Sequence, residues 1–599
     1  MTEIKYKIHI ADNNYIEWTL YDESTMEPTT LEDPEFNPLS YKLFTGDIIT
    51  SKYEIVYSPI RTEKNLPGIL LLVGKTYGRA QHSGRASEKK TAKFYYKCIP
   101  NDKRLPEFLV AYERTTLAFD KTVTCKYVLF KYVEWDGKHP TGVLTNVIGD
   151  VTELTNFYEY QLYSKNLFIS IKDFTKDVHT KCKLVTGCKL VTECNIASTR
   201  DKTYIDEILA QNPQIEDRRS AYVISIDPEH STDLDDAMGF TGDVLSIYIA
   251  NVPLIMEYFN LWNSFSERIS TIYLPDRKCP MLPSLLSDNL CSLLENELRF
   301  AFCLDVTRAE DGEILNLKFS NVLIRVSKNY SYDDPMLSAN PVYNNILDIT
   351  RTLCKTTKYV KEIKDSHDVV AYLMIMMNYE SANVAAQSKS GIFRTLSLKD
   401  FKENKENKDN NESKMDDEIY NFIKIWQSSS GQYTTFENKT AHDLIGIDNY
   451  MHITSPIRRL VDLLNMMNLQ RCLQLVKTET KTETKDLRTQ FYDNWINRLD
   501  YINTTMRAIR KIQTDCNILH ICVNNSDILG KVYDGYVFDK IERNNKYLQY
   551  TVYIPSIKMI ARVNIKDDLC DYSCHKFGLY LIEDGLTLKK KIRVSLTRV

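Results

Sequence analysis

The sequence lacks a long apolar run, a strong net charge and much glycine. No segment approaches the roughly 18 apolar residues that cross a bilayer, and the opening MTEIKYKIHI lacks the apolar core of a secretory signal. We therefore expect an intracellular, cytoplasmic protein with no membrane partner. The net charge is −4 at pH 7, so any polyanion site must be a local basic lining. The 19 glycines, beside abundant Tyr, Asn, Lys and Ile, indicate an AT-rich genome and exclude no chemistry.

The sequence also lacks the cysteine spacing of a zinc site or of a disulfide framework. Its 14 cysteines are scattered, as expected of reduced thiols. Cys182, Cys188 and Cys194 lie six apart in CKLVTGCKLVTEC, whereas zinc ligands usually lie two to four apart. This spacing favours a strand with small buried thiols. A second group at 570–575 has no evident fourth ligand, so zinc is not expected there.

Strand-like segments flank a helix-rich centre. Residues 1–200 and the C-terminal segments are rich in β-branched and aromatic residues, as in YVLFKYVEW (127–135) and YLQYTVYIP (547–555). Apolar residues recur at helical spacing over 366–388 and 455–475. The pattern predicts a multidomain α+β chain with two N-terminal β-barrels, a mixed centre and a C-terminal β-barrel. Solvated insertions are expected at two charged segments without apolar residues: 402–418 and 477–485.

The segment SIDPEHSTDLDDAMG (225–239) concentrates five acids and contains no Lys or Arg. It connects two apolar strand candidates, 221–226 and 244–252, and loops at strand ends commonly carry reactive groups. Two carboxylates ~4 Å apart repel by about 4 kcal/mol at an effective dielectric of ~20. Such a cluster stays ionised only if cations neutralise it, and Mg²⁺, which prefers oxygen ligands, suits it.

The residues of the acidic segment also allow other interpretations. A solvated acidic turn is the plainest alternative. An EF-hand loop is excluded because the glycine at its sixth position and the closing glutamate are missing. DLDD also matches an acid motif of class II terpene cyclases, but five Trp and the lack of repeated helical units disfavour that fold.

A second pattern is typical of anion binding. YMHITSPIRRLVDLL predicts a helix with Thr454 or Ser455 as its N-cap. Arg458 and Arg459 would then lie in the first turn, where the helix dipole disfavours a cation without a partner. A phosphate is the partner expected for Arg458. A structural salt bridge to an acid such as Asp462 is the alternative for Arg459.

Together, IDPEHSTDLDDA and HITSPIRRLVD closely resemble two signatures of the RNB family, which comprises ribonuclease II, ribonuclease R and the catalytic exosome subunit. The resemblance continues through YLPDRKCPMLPSLLSDNLCSLLENELRFAFCLDV (273–306). FYYKCIPNDKRLPEF (94–108) and HPTGVLTNVIGDVTE (139–153) resemble the second cold-shock barrel, in the form closest to the eukaryotic branch. LFTGDIIT (43–50) is similar to the first barrel, and LYLIEDGLTLKKKIRVSL (579–596) to the terminal OB barrel.

The resemblance implies four domains, without an N-terminal PIN nuclease domain. We expect cold-shock-like OB barrels at 1–92 and 93–205. A central mixed α/β RNB catalytic domain is expected at 206–525, and a C-terminal OB-type RNA-binding barrel at 526–599.

The resemblance also implies an activity: processive, Mg²⁺-dependent 3′→5′ exoribonuclease cleavage of single-stranded RNA with a free 3′ end, releasing nucleoside 5′-monophosphates. Mn²⁺ is expected to substitute for Mg²⁺. Two cations about 3.5–4 Å apart would activate water and stabilise the leaving oxygen, and the barrels would guide the strand by base stacking. The expected form is a monomer that a larger RNA-decay assembly can recruit.

Matched to the family motifs, the expected site residues fall into two groups. Four acids would be catalytic and would bind metal, with Asp235 the one most needed for the chemical step: Asp227, Asp233, Asp235 and Asp236. Arg458 would bind the scissile phosphate. Substrate binding is also expected of four further side chains: Tyr273, Tyr332, Arg394 and Ser455.

The chain departs from the family pattern near these residues. Ala371 and Tyr372 stand where a helix usually carries paired glutamates, one of which helps read the ribose, so selectivity for RNA over DNA is in question. The interval before that helix is too short for the usual hairpin with its aromatic clamp. Because all four acids and Arg458 are retained, we expect an active enzyme. The alternative is an RNA-binding protein that has kept the fold and lost catalysis.

Overall fold

The structure, a computed structural model, divides into two compact units. The first unit comprises Met1–Phe168, Leu274–Asp276 and Ile512–Val599, and the second comprises Ile169–Tyr273 and Arg277–Lys511. Within these bounds the structure describes residues 4–30, 35–80, 93–113, 123–186, 203–309, 313–357, 359–360, 362–396, 419, 422, 431–442, 446–476, 486–543, 547–583 and 590–597. In these ranges, no helix combines the length and the apolar character that crossing a membrane requires.

The first unit begins with a five-stranded sheet and a closed five-stranded barrel. The sheet has the order β3-β2-β1-β4-β5, with β1 Lys5–Ile10, β2 Trp18–Asp22, β3 Pro28–Thr29, β4 Ile48–Thr50 and β5 Ile55–Tyr57. The barrel has the order β10-β8-β7-β6-β9, with β6 Leu66–Leu70, β7 Phe94–Pro100, β8 Phe108–Tyr112, β9 Lys126–Glu134 and β10 Thr141–Asp150. The two share one apolar core, in which Phe44 stacks on Phe108. The β-rich fold predicted for this region is confirmed.

Strand β6 pairs within the second barrel, although it lies in the range 1–92 predicted for the first. Gly68 explains why this strand fits there. A Cβ at this position would lie 2.8 Å from Sγ of Cys98 and 2.8 Å from Cε1 of Phe130. The missing side chain therefore lets β6 approach both of its neighbours, β7 and β9, closely. On this pairing, the boundary between the sheet and the barrel falls before Leu66.

The C-terminal part of the first unit is a second five-stranded sheet with its own core. Its order is β22-β21-β20-β23-β24, with β20 Val532–Arg543, β21 Tyr547–Ile554, β22 Met559–Ile565, β23 Cys574–Glu583 and β24 Lys590–Leu596. Alternate residues such as Tyr550 and Val552 are fully buried. The strand predicted at 547–555 is confirmed.

The second unit is built on a closed barrel with the order β11-β12-β13-β16-β17. Its strands are β11 Glu216–Asp227, β12 Asp236–Thr241, β13 Val244–Ala250, β16 Leu298–Arg308 and β17 Ile314–Ser331. Two short hairpins pair β14 Ile272–Tyr273 with β15 Lys278–Cys279, and β18 Ile392–Thr395 with β19 Gln432–Thr435.

The strands predicted at 221–226 and 244–252 are confirmed. The connection between them was expected to be a loop, but it contains β12. Asp236 to Gly239 are all buried, so β12 lacks the polar alternation that marks a half-exposed strand.

The described residues also form helices in both units. They are α1 Pro59–Thr62, α2 Leu154–Ser164, α3 Lys172–Thr186, α4 Thr203–Gln211, α5 Val252–Tyr258, α6 Pro335–Ser338, α7 Pro341–Thr356, α8 Ser366–Gln387, α9 Leu460–Cys472, α10 Leu487–Ile496 and α11 Leu499–Asn524. Helix α8 buries Met376 in the same apolar core as Ile247 and Phe302 of the barrel. The helix predicted at 366–388 is therefore confirmed.

The strand predicted around Cys182 is wrong, because this residue lies in helix α3. Phe174, Val178 and Cys182 recur every four residues and are all buried, which is the pattern of one helix face. Cys182 is nevertheless a small buried thiol, as expected. The remainder of that repeat, and the predicted insertions at 402–418 and 477–485, lie outside the described residues.

Candidate active site

Two of the predicted acids lie at the ends of adjacent barrel strands. Asp227 is the last residue of β11, and Asp236 is the first of β12. Strands β11 and β17 are parallel, with Asp227 opposite Ser331. Tyr332 follows β17 directly and therefore emerges on the same side of the barrel as Asp227. Parallel pairing thus brings together residues that are distant in the sequence.

The other two acids, Asp233 and Asp235, lie in the loop between β11 and β12. The amide of Leu234 donates to Oγ of Ser292 at 3.0 Å, and the amide of Ala250 donates to the carbonyl of Asp235 at 2.8 Å. These bonds anchor the loop to two neighbouring segments, so the carboxylates are held by backbone contacts on both sides.

Arg458 lies in a turn before helix α9 and not in the first turn of that helix. Helix α9 begins at Leu460, with Arg459 as its N-cap residue, so the earlier start predicted from the Thr-Ser pair is wrong. The Oδ1 atom of Asp462 accepts hydrogen bonds from the amide of Ser455 and from Nη2 of Arg459, both at 2.8 Å. This carboxylate holds the turn in front of the helix. The salt bridge considered for Arg459 is confirmed.

Asp235 connects the acidic loop to the arginine turn. Its Oδ1 accepts a hydrogen bond from the amide of Ile457 at 2.9 Å, and its Oδ2 lies 3.0 Å from Nε of Arg458. Asp235 is only 1% exposed. Ser455, expected to bind substrate, accepts a hydrogen bond from Nη2 of Arg458 at 3.2 Å. In this structure Ser455 therefore orients Arg458.

Tyr273 borders both the arginine and the acids. The amide of Thr271 donates to the carbonyl of Arg458 at 3.0 Å, which leads the chain past the arginine turn into β14. The hydroxyl of Tyr273 then donates to Oδ2 of Asp233 at 2.7 Å. Because Tyr273 remains 37% exposed, part of its ring is open to a ligand.

Burial makes three of the carboxylates hard to ionise. It raises the pKa of Asp235 to about 7, against the opposing charge of Arg458, and that of Asp227 to about 6. Burial and the neighbouring charges of Asp227 and Asp235 also raise the pKa of Asp236. Although burial disfavours its charge, the carboxylate of Asp235 raises the pKa of Arg458. The site is therefore short of positive charge.

The carboxylate oxygens fit a hard cation. The Oδ2 atoms of Asp227, Asp235 and Asp236 are buried and accept no hydrogen bond from the described groups. Among the described residues, no three His, Cys, Asp or Glu side chains are already arranged around a metal position. Mg²⁺ does not need such a cage, because it is commonly held by one or two carboxylates together with water and substrate phosphate.

A lysine that the sequence did not single out also lies in this site. Nζ of Lys278 is 3.1 Å from Oδ1 of Asp233 and 2.8 Å from Oδ1 of Asp288. Lys278 pairs with Tyr273 across the β14–β15 hairpin. The Pro-Asp pair in YLPDRK could have indicated Lys278, because such pairs are typical of turns. A turn brings the residues on its two sides, here Tyr273 and Lys278, close together.

Tyr332 contacts the same site from the opposite strand. Burial, and then the charges of Asp236 and Asp227, raise its pKa to about 12. Its ring stacks on His367 with 3.9 Å between centroids and 12° between planes, a partner that the sequence did not indicate. This stack offers a flat aromatic surface beside the acids.

The helix that lacks its usual glutamates supplies no acid in their place. Tyr372 is fully buried and packs at 5.2 Å from the ring of Tyr359, whereas Ala371 is exposed.

Arg394, which was expected to bind substrate, lies in a different group of side chains from the four acids and Arg458. It is 6% exposed, its guanidinium lies 5.0 Å from the ring of Tyr433, and burial lowers its pKa.

Comparison with known protein families finds matches in two regions of the chain. The RNB domain matches residues 215–336 and 337–475, which contain the four acids and Arg458. The Dis3-like cold-shock domain 2 (CSD2) matches residues 95–159, which run from β7 of the first unit's closed barrel into helix α2.

Individual relatives match parts of the sequence or the fold. Ribonuclease R of Chlamydia pneumoniae is 25% identical over 334 residues, 45% of this chain and 48% of that protein, so the match spans about half of that relative. Mycoplasma genitalium RNase R, solved in complex with double-stranded RNA, has a TM-score of 0.61 at 17% identity and covers 92% of this chain and 98% of that chain. Yeast Ssd1, a pseudonuclease, has a TM-score of 0.56 at 12% identity over 94% of this chain and 78% of that chain. At these identities the structural likeness shows the fold.

Proposed function

Because residues 215–336 and 337–475 match the RNB domain, we propose that the chain belongs to the RNB family and is a hydrolytic 3′→5′ exoribonuclease. Its substrate would be single-stranded RNA with a free 3′ end, and its products nucleoside 5′-monophosphates released processively. The observation that carries this proposal is the contact between Asp235 and Arg458, 3.0 Å apart beside two further acids, Asp227 and Asp236, that each have a buried oxygen. An anion-binding arginine and a cation-binding acid cluster are the two parts that phosphodiester hydrolysis needs.

Asp227 and Asp236 would hold the divalent cation, because each has a buried oxygen without a hydrogen bond from the described groups. Mg²⁺, with Mn²⁺ as a substitute, would supply Lewis-acid activation of water and charge stabilisation at phosphorus. Asp233 is bound to the Tyr273 hydroxyl and the Lys278 ammonium. Because both of its oxygens are engaged, Asp233 is a weaker candidate for a metal ligand than the motif alone implies.

Arg458 would bind the non-bridging oxygens of the scissile phosphate. Its guanidinium is charged at neutral pH, as arginine is in proteins, and Asp235 raises its pKa against the opposing effect of burial. The backbone of the turn is also fixed, since the amide of Ile457 donates to Asp235. This preorganisation means that the charge does not have to reorient as negative charge grows in the transition state.

Tyr273 and Tyr332 would stack on the bases next to that phosphate. Both rings lie beside the acids, and Tyr273 is partly exposed. Stacking on an aromatic ring tolerates any base, which suits a nuclease that removes one nucleotide after another. No carboxylate replaces the usual glutamates at positions 371 and 372, so we predict weak discrimination between ribose and deoxyribose.

The direct test is incubation of a 5′-labelled single-stranded RNA with the protein and Mg²⁺. We expect a ladder that shortens from the 3′ end, together with free mononucleotides. Asp235→Asn should leave the RNA intact while binding it with similar affinity, since the carboxylate charge is lost but an acceptor for Ile457 remains. Asp243→Asn, in an exposed turn, is the matched control. Internal cleavage, or full activity of Asp235→Asn, would contradict the proposal.

The second candidate function is RNA binding without hydrolysis. It is favoured by the ion pair of Asp233 with Lys278, which engages one of the expected metal ligands. Retention of the labelled RNA without shortening, at any Mg²⁺ or Mn²⁺ concentration, would support it. A cytoplasmic location, a monomeric state and recruitment to a larger RNA-decay assembly stay predictions.

A further inference from the structure

Lys278 is the centre of a small network on one side of the acid cluster. It lies in β15 directly opposite Tyr273. Its ammonium contacts three acceptors: Oγ1 of Thr232 at 2.7 Å, Oδ1 of Asp288 at 2.8 Å and Oδ1 of Asp233 at 3.1 Å. The side chain is 23% exposed. An ammonium has three donors, so the network uses its full capacity.

This network sets Asp233 apart from Asp227 and Asp236. Both of its oxygens have partners, Oδ1 with Lys278 and Oδ2 with the hydroxyl of Tyr273 at 2.7 Å. By contrast, Asp227 and Asp236 each keep a buried oxygen that accepts no hydrogen bond from the described groups. Asp233 is thus neutralised by Lys278 and Asp235 by Arg458, which leaves Asp227 and Asp236 as the acids with an oxygen open to a cation.

We infer that the Lys278 ammonium takes the place of one divalent cation beside Asp233, so that the site binds a single Mg²⁺ and not the pair expected from the sequence. This inference rests on the proposed function for the identity of the cation. The single ion would be held by Asp227 and Asp236.

The inference follows from charge and geometry. A divalent ion at Asp233 would have to displace an ammonium and a phenol, and it would then lie against the positive charge of Lys278. Repulsion between like charges a few ångströms apart is strong in a partly buried site. Asp288 and Thr232 hold Lys278 from the far side, so the ammonium cannot leave without breaking further bonds. Asp233 is therefore a positioning residue that orients Tyr273.

The test is a count of bound Mn²⁺ per chain, measured by titration calorimetry and by the electron paramagnetic resonance signal of free Mn²⁺. The wild-type chain should bind one ion tightly. Lys278→Met should bind a second ion at least about 10-fold more tightly than the wild type does, because one unit of repelling charge is removed. Lys278→Arg keeps the charge and should still bind one. Lys328→Met, which breaks an exposed ion pair with Glu295, is the control and should also bind one.

Two tightly bound ions in the wild type would overturn the inference, and so would a Lys278→Met variant that folds, by circular dichroism, yet still binds one. If that variant does not fold, the wild-type count and Lys278→Arg decide the question. One bound ion without any RNA hydrolysis would contradict the proposed function alone. Two bound ions with normal hydrolysis would contradict this inference alone.

Discussion

At the scale of single residues, Asp235 and Arg458 carry most of the chemistry proposed here. Asp235 is buried and bonded to the backbone of the turn that presents the arginine. Removing Arg458 would leave the buried carboxylate of Asp235 without its ion-pair partner. The two residues should therefore behave as one unit, and their substitutions should not be additive.

Arg458→Ala is expected to lower kcat by about 10²–10³-fold, because one preorganised donor to the transition-state charge is lost. Arg458→Lys should recover only part of this loss, since a lysine supplies a point charge without the guanidinium fork. Single-turnover kinetics with saturating RNA measure the effect. Arg325→Ala, at an exposed position of β17, is the control. An Arg458→Ala enzyme with normal kcat would remove this residue from the mechanism.

The affinity for Mg²⁺ should fall as the pH decreases through 7. Burial raises the pKa of Asp235 to about 7 and that of Asp227 to about 6, so in the metal-free protein these groups take up protons below those values. A cation must displace the protons. Calorimetric titrations between about pH 8 and pH 5.5 should show the decrease. An affinity independent of pH would contradict it.

The same raised pKa values have an opposite effect on the stability of the metal-free protein. A carboxyl whose folded-state pKa lies above its ordinary value of 3.8 stabilises the fold below that value and loses this contribution as the pH rises through 7. Added Mg²⁺ should therefore raise the melting temperature more at about pH 8 than at about pH 5.5. Equal shifts at the two pH values would be inconsistent with buried, cation-free carboxylates.

At the scale of elements, close packing of strands decides which segments belong together. Strand β6 reaches its place in the second barrel because Gly68 has no side chain to meet Cys98 and Phe130. Helix α9 begins where Asp462 ends the preceding turn. Gly68 acts through contacts that are distant in the sequence, whereas Asp462 acts on residues within seven positions of it.

Gly68→Ala is expected to destabilise the closed barrel of the first unit by about 1–3 kcal/mol, because its Cβ would overlap two packed side chains. Gly137→Ala is the matched control, since a Cβ there would meet nothing within 4 Å, and it should change stability by less than about 0.5 kcal/mol. Urea unfolding followed by circular dichroism measures both. Equal effects of the two substitutions would show that β6 does not pack as described.

At the scale of the whole molecule, the fold has cores that do not involve the acid cluster. One apolar cluster joins the barrel of the second unit to α8, and two others lie in the first unit. Apolar burial of this kind is the dominant stabilising contribution in folding. The acids lie at the ends of strands that these cores already hold.

Removal of divalent cations with EDTA is therefore expected to abolish RNA hydrolysis while the far-ultraviolet circular dichroism stays unchanged. Restoring Mg²⁺ should restore the activity without a refolding step. This separates a catalytic ion from a structural one, because structural metal sites contribute folding free energy directly. Unfolding of the protein on addition of EDTA would contradict a purely catalytic role for the ion.

Several features of the fold and the site followed from the sequence. The strands at 221–226 and 244–252 and the helix at 366–388 were recognisable because their apolar residues repeat at strand or helix spacing. The two signatures indicated the RNB domain, and they contain Asp235 and Arg458, which the structure brings into contact. The residues near Cys182 misled because a sequence repeat resembled a strand, whereas Phe174, Val178 and Cys182 are buried at four-residue spacing in α3.

The sequence by itself determined the chemistry of the site, because side-chain type decides which groups can hold a cation or a phosphate. Only the tertiary structure decided how those groups are partnered. Asp233 and Asp235 look equivalent in DLDD, yet one is bonded to Lys278 and the other to the arginine turn. Those partners come from hairpin pairing and from a loop more than two hundred residues away, and contacts of that kind leave no local pattern in the chain.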